Sequence, residues 1–266
     1  MKKPLLFALL LSLLFSCGQS EEKNDSFDPN TIHIGETPIR LIHNFTDSDN
    51  EITFVNLHAD EETSILAIKK LSLERKINYF YLNHEGTRRI NFILHEPDFG
   101  IYYQPNNFDP NRIFTEKGRI ATLADGEGET KSLEVQLSVF AKVLLIKLRV
   151  DPSKTIIAMH NNTADEYSIL SYLPEGDESQ NTAEVFVNED MDPDDFIYTT
   201  DKNVYDALVT ENINVILQDN DNFVDDGSLS VYCGGNGIRY INIETEHGHI
   251  TEQYDLMKLI LSILEK

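Results

Sequence analysis

A histidine and a glutamate three residues apart, His58 and Glu61, directly follow the apolar stretch 52–57. This stretch is short and β-branched, which predicts a buried strand. Residues 63–73 behind it have the apolar spacing of an amphipathic helix. An imidazole nitrogen and a carboxylate oxygen at this spacing can bind one metal ion. Short motifs of this kind also occur at solvated strand ends, so the metal site needs support from remote residues.

A second histidine ends another apolar stretch. Residues 155–159 predict a buried strand that runs into His160. If this strand and the strand before His58 share a sheet, then His58, Glu61 and His160 can supply three ligands to zinc. The fourth coordination position is left to water, which is the arrangement of a catalytic zinc site.

Two glutamates end a third predicted strand. Residues 237–246 alternate between apolar and polar side chains and finish on Glu244 and Glu246. A carboxylate beside the metal can take the proton of an attacking water and pass it to a leaving amine. Both glutamates lie on one face of the strand, so the sequence does not choose between them. Glu244 is preferred because it ends the apolar run.

Arginines in two turns offer further functions. Arg112 can capture a carboxylate with its planar guanidinium, which would select substrates with a free acid group near the scissile amide. The alternative for Arg112 is a structural salt bridge within a very acidic protein. Arg88 or Arg89 can stabilise the oxyanion of the scissile carbonyl, and Arg89 is taken as the candidate.

The elements that must position these residues alternate between strand and helix. Residues 78–82 and 89–94 are interpreted as a hairpin, and residues 108–115 are placed in a polar loop. The alternation predicts an α/β fold, a three-layer mixed β-sheet with helices on both faces, whose site lies at the carboxyl ends of its strands. Further strands are predicted at 39–45, 184–187 and 213–217, and helices at 132–150, 204–209 and 252–264.

The charge of the chain limits its partners. The 266 residues include 22 basic and 45 acidic side chains, a net charge of −23. Such a negative field repels phosphate backbones, so we expect no nucleic-acid partner.

The first residues have the pattern of a signal peptide. Residues 1–16 carry two lysines and a short apolar run, and they end before Cys17. Residues 14–17, LFSC, resemble a bacterial lipoprotein signal, which implies a lipidated Cys17 and anchoring to the bacterial cell envelope, in the periplasm or at the outer membrane. Residues 17–30 then form a polar tether and 31–266 a single domain. The alternative is ordinary secretion, in which Cys17 is lost.

Processing would change both the charge and the cysteine count. Removal of residues 1–16 leaves 20 basic against 45 acidic residues, a net charge of −25. Once Cys17 is acylated, Cys233 has no cysteine partner, so no disulfide framework is expected. A hydrophobic core of sufficient size must therefore hold the domain together.

Four short motifs resemble the zinc carboxypeptidase superfamily. They are HADE at 58–61, FDPNRIFT at 108–115, HNNT at 160–163 and INIETE at 241–246. The runs DPNRIF and HNNT are most similar to the branch of succinylglutamate desuccinylase and aspartoacylase. The resemblance implies zinc as the cofactor, with the ligand and acid–base residues named above.

The resemblance also implies residues that bind substrate. Asn111 and Arg112 would hold a substrate carboxylate. The glycine-rich stretch 226–237 stands where the family carries a loop of the substrate pocket, so Tyr232 and Cys233 are expected to line the site. His247 and His249 are interpreted as residues that support the site or lie on the surface.

Together these features predict a lipid-anchored zinc hydrolase. Its substrate would be a small peptide or an N-acyl amino acid with a free carboxylate, and the residues do not separate a peptidase from an acyl-amino-acid amidase. An alternative is a non-catalytic lipoprotein that binds carboxylate ligands on the same fold. A third hypothesis, an acidic structural lipoprotein, requires the three ligand candidates to lie far apart.

Overall fold

A mixed β-sheet of nine strands forms the centre of the molecule. The computed structural model describes residues 28–45, 51–95, 103–123, 130–164 and 166–266. The strands are β1 (Thr31–Ile34), β2 (Thr37–Asn44), β3 (Ile52–Asn56), β4 (Asn78–Asn83), β5 (Ile90–His95), β6 (Tyr103–Phe108), β7 (Thr155–Asn162), β8 (Thr182–Phe186), β9 (Phe196–Thr199), β10 (Val215–Gln218) and β11 (Arg239–Glu246). The helices are α1 (Glu62–Glu74), α2 (Glu116–Leu123), α3 (Thr130–Lys147), α4 (Lys202–Thr210), α5 (Leu229–Gly235) and α6 (Ile250–Leu264).

The strand order places the three site strands side by side. The large sheet runs β1-β2-β4-β3-β7-β11-β9-β10-β8, and β5 pairs with β6 in a separate two-stranded sheet. β7 is parallel to β3 on one side and to β11 on the other. The carboxyl ends of these three strands therefore meet at one edge, as expected for the site of an open α/β sheet.

Helices cover both faces of the large sheet. One apolar core packs α3 and α5 against one face, and a second core packs α1, α4 and α6 against the other. All eight residues of the central strand β7 are buried, because this strand lies between two layers of helices. The predicted three-layer α/β architecture is confirmed.

Several predicted elements are corrected by the structure. β4 does not form a hairpin with β5, because β4 pairs with β2 and β3 in the large sheet. Residues 109–115 form a loop between strand β6 and helix α2, as predicted, whereas Phe108 belongs to β6. The short strand β9 and the short helix α5 were not predicted. The Ser228 hydroxyl caps α5 by accepting a hydrogen bond from Val231 N at 3.3 Å.

The predicted signal peptide at 1–16 and most of the tether at 17–30 lie outside the described residues. Within the described ranges, no helix has both the length and the apolar character needed to cross a bilayer.

Candidate active site

The structure brings the three candidate metal ligands together. His58 follows β3, Glu61 precedes α1 and His160 lies in the adjacent strand β7. His58 Nδ1 lies 2.8 Å from Glu61 Oε1 and 3.2 Å from His160 Nδ1. His160 Nδ1 lies 3.0 Å from Glu61 Oε2. All three side chains are buried, so two imidazoles and one carboxylate face a common point away from bulk water.

This set of donor atoms fits a zinc ion. Zinc binds imidazole nitrogen at about 2.0–2.1 Å, so donor atoms at a tetrahedral ion lie roughly 3.3 Å apart. The separations of 2.8–3.2 Å between the donor atoms are close to that spacing. Asp109 supports the arrangement, because its Oδ1 lies 2.8 Å from His58 Nε2. With Nε2 donating to this carboxylate, the lone pair of His58 Nδ1 is directed at the site.

Electrostatics keep the ligand carboxylate charged. Burial acts to raise the pKa of Glu61, but the neighbouring imidazoles of His160 and His58 outweigh it and lower the pKa to about 2. Burial likewise acts to lower the pKa of His58, yet Glu61 and Asp109 raise it to about 9. Without a metal ion, the imidazole of His58 therefore carries an extra proton and a positive charge. A bound metal ion would replace this proton.

Glu244 of β11 lines the cavity beside these three residues. In the strand register it pairs with His160 of β7, and Asn242 Nδ2 donates a hydrogen bond of 2.9 Å to Glu244 Oε1. Burial raises the pKa of Glu244 above the usual glutamate value; His160 opposes the shift, and Glu61 adds to it. A carboxylate of raised pKa suits a group that must take up and release a proton near neutral pH.

The structure separates the two glutamates that the sequence left open. Glu246 lies outside the cavity lining, with its Oε2 3.7 Å from His249 Nε2. His249 Nδ1 in turn lies 3.1 Å from the buried Asp195. Glu246, His249 and the exposed Asp192 form a second cluster, whose donor atoms lie within 4.8 Å of one another. Glu244 is therefore the glutamate of this strand that faces the three candidate ligands.

Arg89, predicted as the oxyanion residue, does not line the cavity. Its guanidinium donates to Thr122 O at 2.7 Å. Its neighbour Arg88 lines the cavity, with Nη1 3.5 Å from Glu61 Oε1 and Nε 3.3 Å from Asp109 Oδ2. Both arginines precede β5, which begins at Ile90, so the alternation of that strand does not fix the direction of their side chains. Arg88 is half-exposed and is the arginine beside the candidate ligand Glu61.

Asn111 and Arg112 both line the cavity, on the loop between β6 and α2. Asn111 Oδ1 accepts a hydrogen bond of 3.0 Å from Leu229 N, which holds this loop against the start of α5. Arg112 Nη1 donates to Asn111 O at 3.0 Å and lies 3.5 Å from Asp226 Oδ2. Burial acts to lower the pKa of Arg112, but Asp226 and Asp109 raise it above its usual value. The guanidinium is therefore a fixed positive charge at the wall of the cavity.

Two glycines, Gly118 and Gly227, allow the loop of Arg112 and the loop of Asp226 to come into close contact. A Cβ atom on Gly118 would overlap the backbone of Gly227 and the carbonyl of Arg112. Phe114 N also donates to Gly227 O at 2.9 Å. Gly227 has φ +82°, a conformation that glycine adopts readily. The absence of side chains at 118 and 227 thus lets the Arg112 loop pack on the Asp226 loop.

The cavity lined by the candidate ligands Glu61 and His160 has a volume of about 420 Å³. The candidate residues His160, Glu61, Glu244, Asn111 and Arg112 all contribute to its lining. The rest of the lining includes side chains to which the sequence analysis assigned no function. They are mainly tyrosines and acids, Glu166, Tyr167, Tyr172, Glu178, Tyr198, Asp226 and Tyr240.

Tyr232 and Cys233 do not line this cavity, contrary to the expectation from the resemblance. The ring of Tyr232 packs on Phe114, with ring centroids 6.3 Å apart. Cys233 is completely buried in the core beneath the sheet, and burial raises the pKa of its thiol. The reason is that residues 229–235 form helix α5, which turns these side chains inward, and Ser230 and Val231 face the cavity instead.

Asp109 and Asn242 are the supporting residues that the sequence reading missed. Each stands beside a residue already singled out, Asp109 two positions before Asn111 and Asn242 two positions before Glu244. Side chains two apart on a strand share a face, so Asn242 could have been found from the alternation alone. Asp109 contacts His58 across a sequence separation of 51 residues, which no local pattern encodes.

Fold and site together define an α/β protein with a buried histidine–glutamate–histidine group at the carboxyl edge of a mixed sheet. No protein-family model matches the sequence, and no curated protein matches it significantly. Solved structures do share similarity with it. A candidate metallopeptidase from Shewanella amazonensis is 15% identical, with a TM-score of 0.44 over 87% of this chain and 84% of the other.

Two further solved structures are similar at the same level. Murein-tripeptide amidase MpaA from Escherichia coli O157 is 11% identical, with a TM-score of 0.41 over 90% of this chain and 93% of the other. A candidate succinylglutamate desuccinylase/aspartoacylase family protein from Shewanella amazonensis is 11% identical, with a TM-score of 0.38 over 88% of this chain and 71% of the other.

Proposed function

We propose that this chain is a zinc-dependent hydrolase that cleaves an amide bond in a small peptide or N-acyl amino acid with a free carboxylate. The observation that carries the proposal is the convergence of three metal-binding side chains, a buried glutamate and a fixed guanidinium around one cavity. Acyl transfer to water needs these groups: an electrophile, a base and a means of holding the substrate. Peptides and N-acyl amino acids both satisfy the proposal, because both present the same amide and carboxylate.

His58, Glu61 and His160 would hold the metal. Zinc, when bound, polarises a carbonyl oxygen and lowers the pKa of water. Asp109 and Asn56 keep the ligands oriented: Asp109 through His58 Nε2, and Asn56 Nδ2 through a hydrogen bond of 3.3 Å to Glu61 Oε2. Such supporting contacts fix the direction of the donor lone pairs.

Glu244 would move the proton during hydrolysis. Its carboxylate takes a proton from the attacking water at an Oε atom and returns it to the leaving nitrogen. The hydrogen bond from Asn242 leaves the second Oε atom for this exchange. Arg88 lies on the metal side of the cavity, where its N–H groups can donate to the oxygen of the scissile carbonyl as charge develops there.

Arg112 would orient the substrate. A guanidinium can bind both oxygens of a carboxylate, which fixes the scissile bond relative to Glu244. Before substrate enters, Arg112 faces Asp226 at 3.5 Å, a long and half-exposed ion pair that a substrate carboxylate can displace. The clamp therefore selects substrates with a free acid group near the amide.

The proposal includes the location of the protein. A lipidated Cys17 would anchor the chain to the bacterial cell envelope, and the polar residues after it would separate the hydrolase from the membrane. Support for this part comes from the sequence pattern alone. Replacing Cys17 with serine should release the protein from the membrane fraction of expressing cells, and unchanged membrane association would contradict the anchor.

The test of the hydrolase is amine release from a panel of dipeptides and N-acyl amino acids by zinc-loaded protein. Glu244→Gln should keep the metal and lose turnover by at least about 100-fold, because general acid–base groups contribute roughly 10²–10⁴ in rate. Glu246→Gln is the matched control on the same strand and should keep its activity. Full turnover in Glu244→Gln would contradict the proposed role. Wild-type protein that takes up no zinc, and that binds carboxylates without turnover, would favour a non-catalytic binding protein.

A further inference from the structure

The cavity lining is richer in acids than the proposed chemistry requires. Among the described residues, five carboxylates line the cavity, Glu61, Glu166, Glu178, Glu244 and Asp226. Two of them already have functions in the proposed reaction, Glu61 as a ligand and Glu244 as the base. The cations among the described lining residues are the guanidiniums of Arg88 and Arg112, besides the imidazole of His160. An anionic substrate alone would leave part of this negative charge without a matching positive charge.

Among the residues that the structure describes, Glu178 has no cationic partner: no Lys, Arg or His nitrogen lies within ion-pair distance of its carboxylate. Asn181 Nδ2 donates a hydrogen bond of 2.7 Å to Glu178 Oε2, which holds the side chain in place. Glu178 N also donates to Ser171 O at 2.9 Å. The carboxylate is therefore fixed at the cavity wall but not neutralised.

Arg112 and Glu178 act on the same region of the cavity. After burial, Asp226 and Asp109, the charge of Glu178 is among the groups that affect the pKa of Arg112. Tyr167 lines the same cavity as Glu178 and Arg112. Because this cavity has a volume of about 420 Å³, a ligand whose carboxylate binds Arg112 has Glu178 within reach of another part of the same molecule.

Aromatic rings line the same cavity as Glu178. Tyr167 and Tyr172 have ring centroids 6.0 Å apart, and those of Tyr172 and Tyr198 are 5.5 Å apart. The phenols of Tyr167 and Tyr172 bond to each other, so the rings are held in place. Aromatic faces attract ammonium groups and also pack on the methylene chain that carries the charge.

We infer that this cavity selects substrates whose released amino acid carries two charges, a carboxylate for Arg112 and a side-chain ammonium for Glu178. The inference rests on the function proposed above and names its substrate class: amides of lysine-like amino acids. Aromatic rings together with a carboxylate that has no ion-pair partner can bind a cation, whereas Arg112 in the same cavity can bind an anion. One residue with an aliphatic side chain that ends in an ammonium group satisfies both.

The test compares two substrates that differ by one ammonium group. Zinc-loaded full-length protein is given N-acetyl-alanyl-lysine and N-acetyl-alanyl-norleucine, in which the terminal aminomethyl group of lysine is replaced by a methyl group. We expect kcat/KM to favour the lysine substrate by about tenfold or more, since losing one partner of a charge pair in a cavity costs at least that. Glu178→Gln should remove the preference by raising KM for the lysine substrate, with the norleucine substrate unchanged.

Asp177→Asn is the matched control, because Asp177 is the exposed neighbour of Glu178 and does not line the cavity. It should keep the preference for lysine. Equal kcat/KM for the two substrates in the wild type, an undiminished preference in Glu178→Gln, or the same loss in Asp177→Asn would overturn the inference.

Failure of the hydrolase proposal gives a different result. If neither substrate is cleaved, binding of free lysine and free norleucine to the zinc-loaded protein is measured by calorimetry. Tighter binding of lysine in the wild type, lost in Glu178→Gln, supports the cation site even without turnover. Equal binding of the two amino acids refutes it.

Discussion

Replacing Asp109 with alanine should weaken zinc binding without removing any ligand. Asp109 Oδ1 lies 2.8 Å from His58 Nε2 in a buried environment. A hydrogen bond to a charged group contributes about 1.5–3 kcal/mol, and each 1.4 kcal/mol is roughly tenfold in affinity. Asp109→Ala should therefore raise the Kd for zinc by about 10- to 100-fold, which is the usual range for residues that support a metal ligand.

A second variant separates charge from geometry. Asp109→Asn keeps an acceptor oxygen for His58 Nε2 but has no charge, so a neutral hydrogen bond of about 0.5–1.5 kcal/mol can remain. The Kd for zinc should then rise by roughly 3- to 10-fold, less than in Asp109→Ala. Asp60→Asn is the control. Asp60 is exposed in the turn that follows His58, so this substitution removes the same charge near His58.

The assay is a competition titration against a chelator of known affinity, at fixed pH and salt. Circular dichroism of each metal-free variant shows whether the fold is kept. Unchanged zinc affinity in folded Asp109→Ala would refute the assigned function of this carboxylate. An equal loss in Asp60→Asn would show that general electrostatics, and not the contact with His58, is responsible.

Four further predictions concern the pH dependence of activity, the pH dependence of stability, substrate orientation and loop packing. Because burial raises the pKa of Glu244 above its usual 4.5, the acid limb of kcat/KM should lie above pH 4.5 and activity should rise with pH through it; an acid limb below 4.5 would contradict this. The raised pKa also means that stability is lost as pH rises through the folded value, so metal-free Glu244→Gln should melt above wild type at pH 8 but not at pH 4. Arg112→Lys should raise KM by about tenfold for acids and leave the matched carboxamide substrates unaffected, as kinetics on both series would show. Gly118→Ala should lower the free energy of unfolding by about 1–3 kcal/mol in urea titration, because its Cβ would overlap the backbone of Gly227; unchanged stability would show that the two loops can separate.

The strongest patterns in the sequence predicted the elements that carry the site. Strands β3, β7 and β11 are apolar, and α1, α3 and α6 have clear helical spacing, so each was found within a few residues. Polar or very short elements were missed. β6 reads YQPNNF and pairs with β5 outside the large sheet, and its sequence lacks the apolar alternation of a strand in that sheet.

Pairing between elements could not be read from local patterns. β4 follows β3 in the chain but lies between β2 and β3 in the sheet, and only tertiary packing decides that order. The choice between Arg88 and Arg89 has a similar origin, because both precede β5 and only the tertiary structure decides which side chain reaches the cavity. Asp109 and Glu178 were not assigned because their partners are distant in sequence or belong to a cavity formed by several loops.

Metal content tests the central claim most directly. Wild-type protein is loaded with zinc, freed of unbound metal and analysed by inductively coupled plasma mass spectrometry. It should contain about one zinc per chain. Glu61→Ala should contain almost none, and Glu244→Gln should contain as much as wild type. A wild-type protein without zinc, or a folded Glu61→Ala variant with undiminished zinc, would contradict the account.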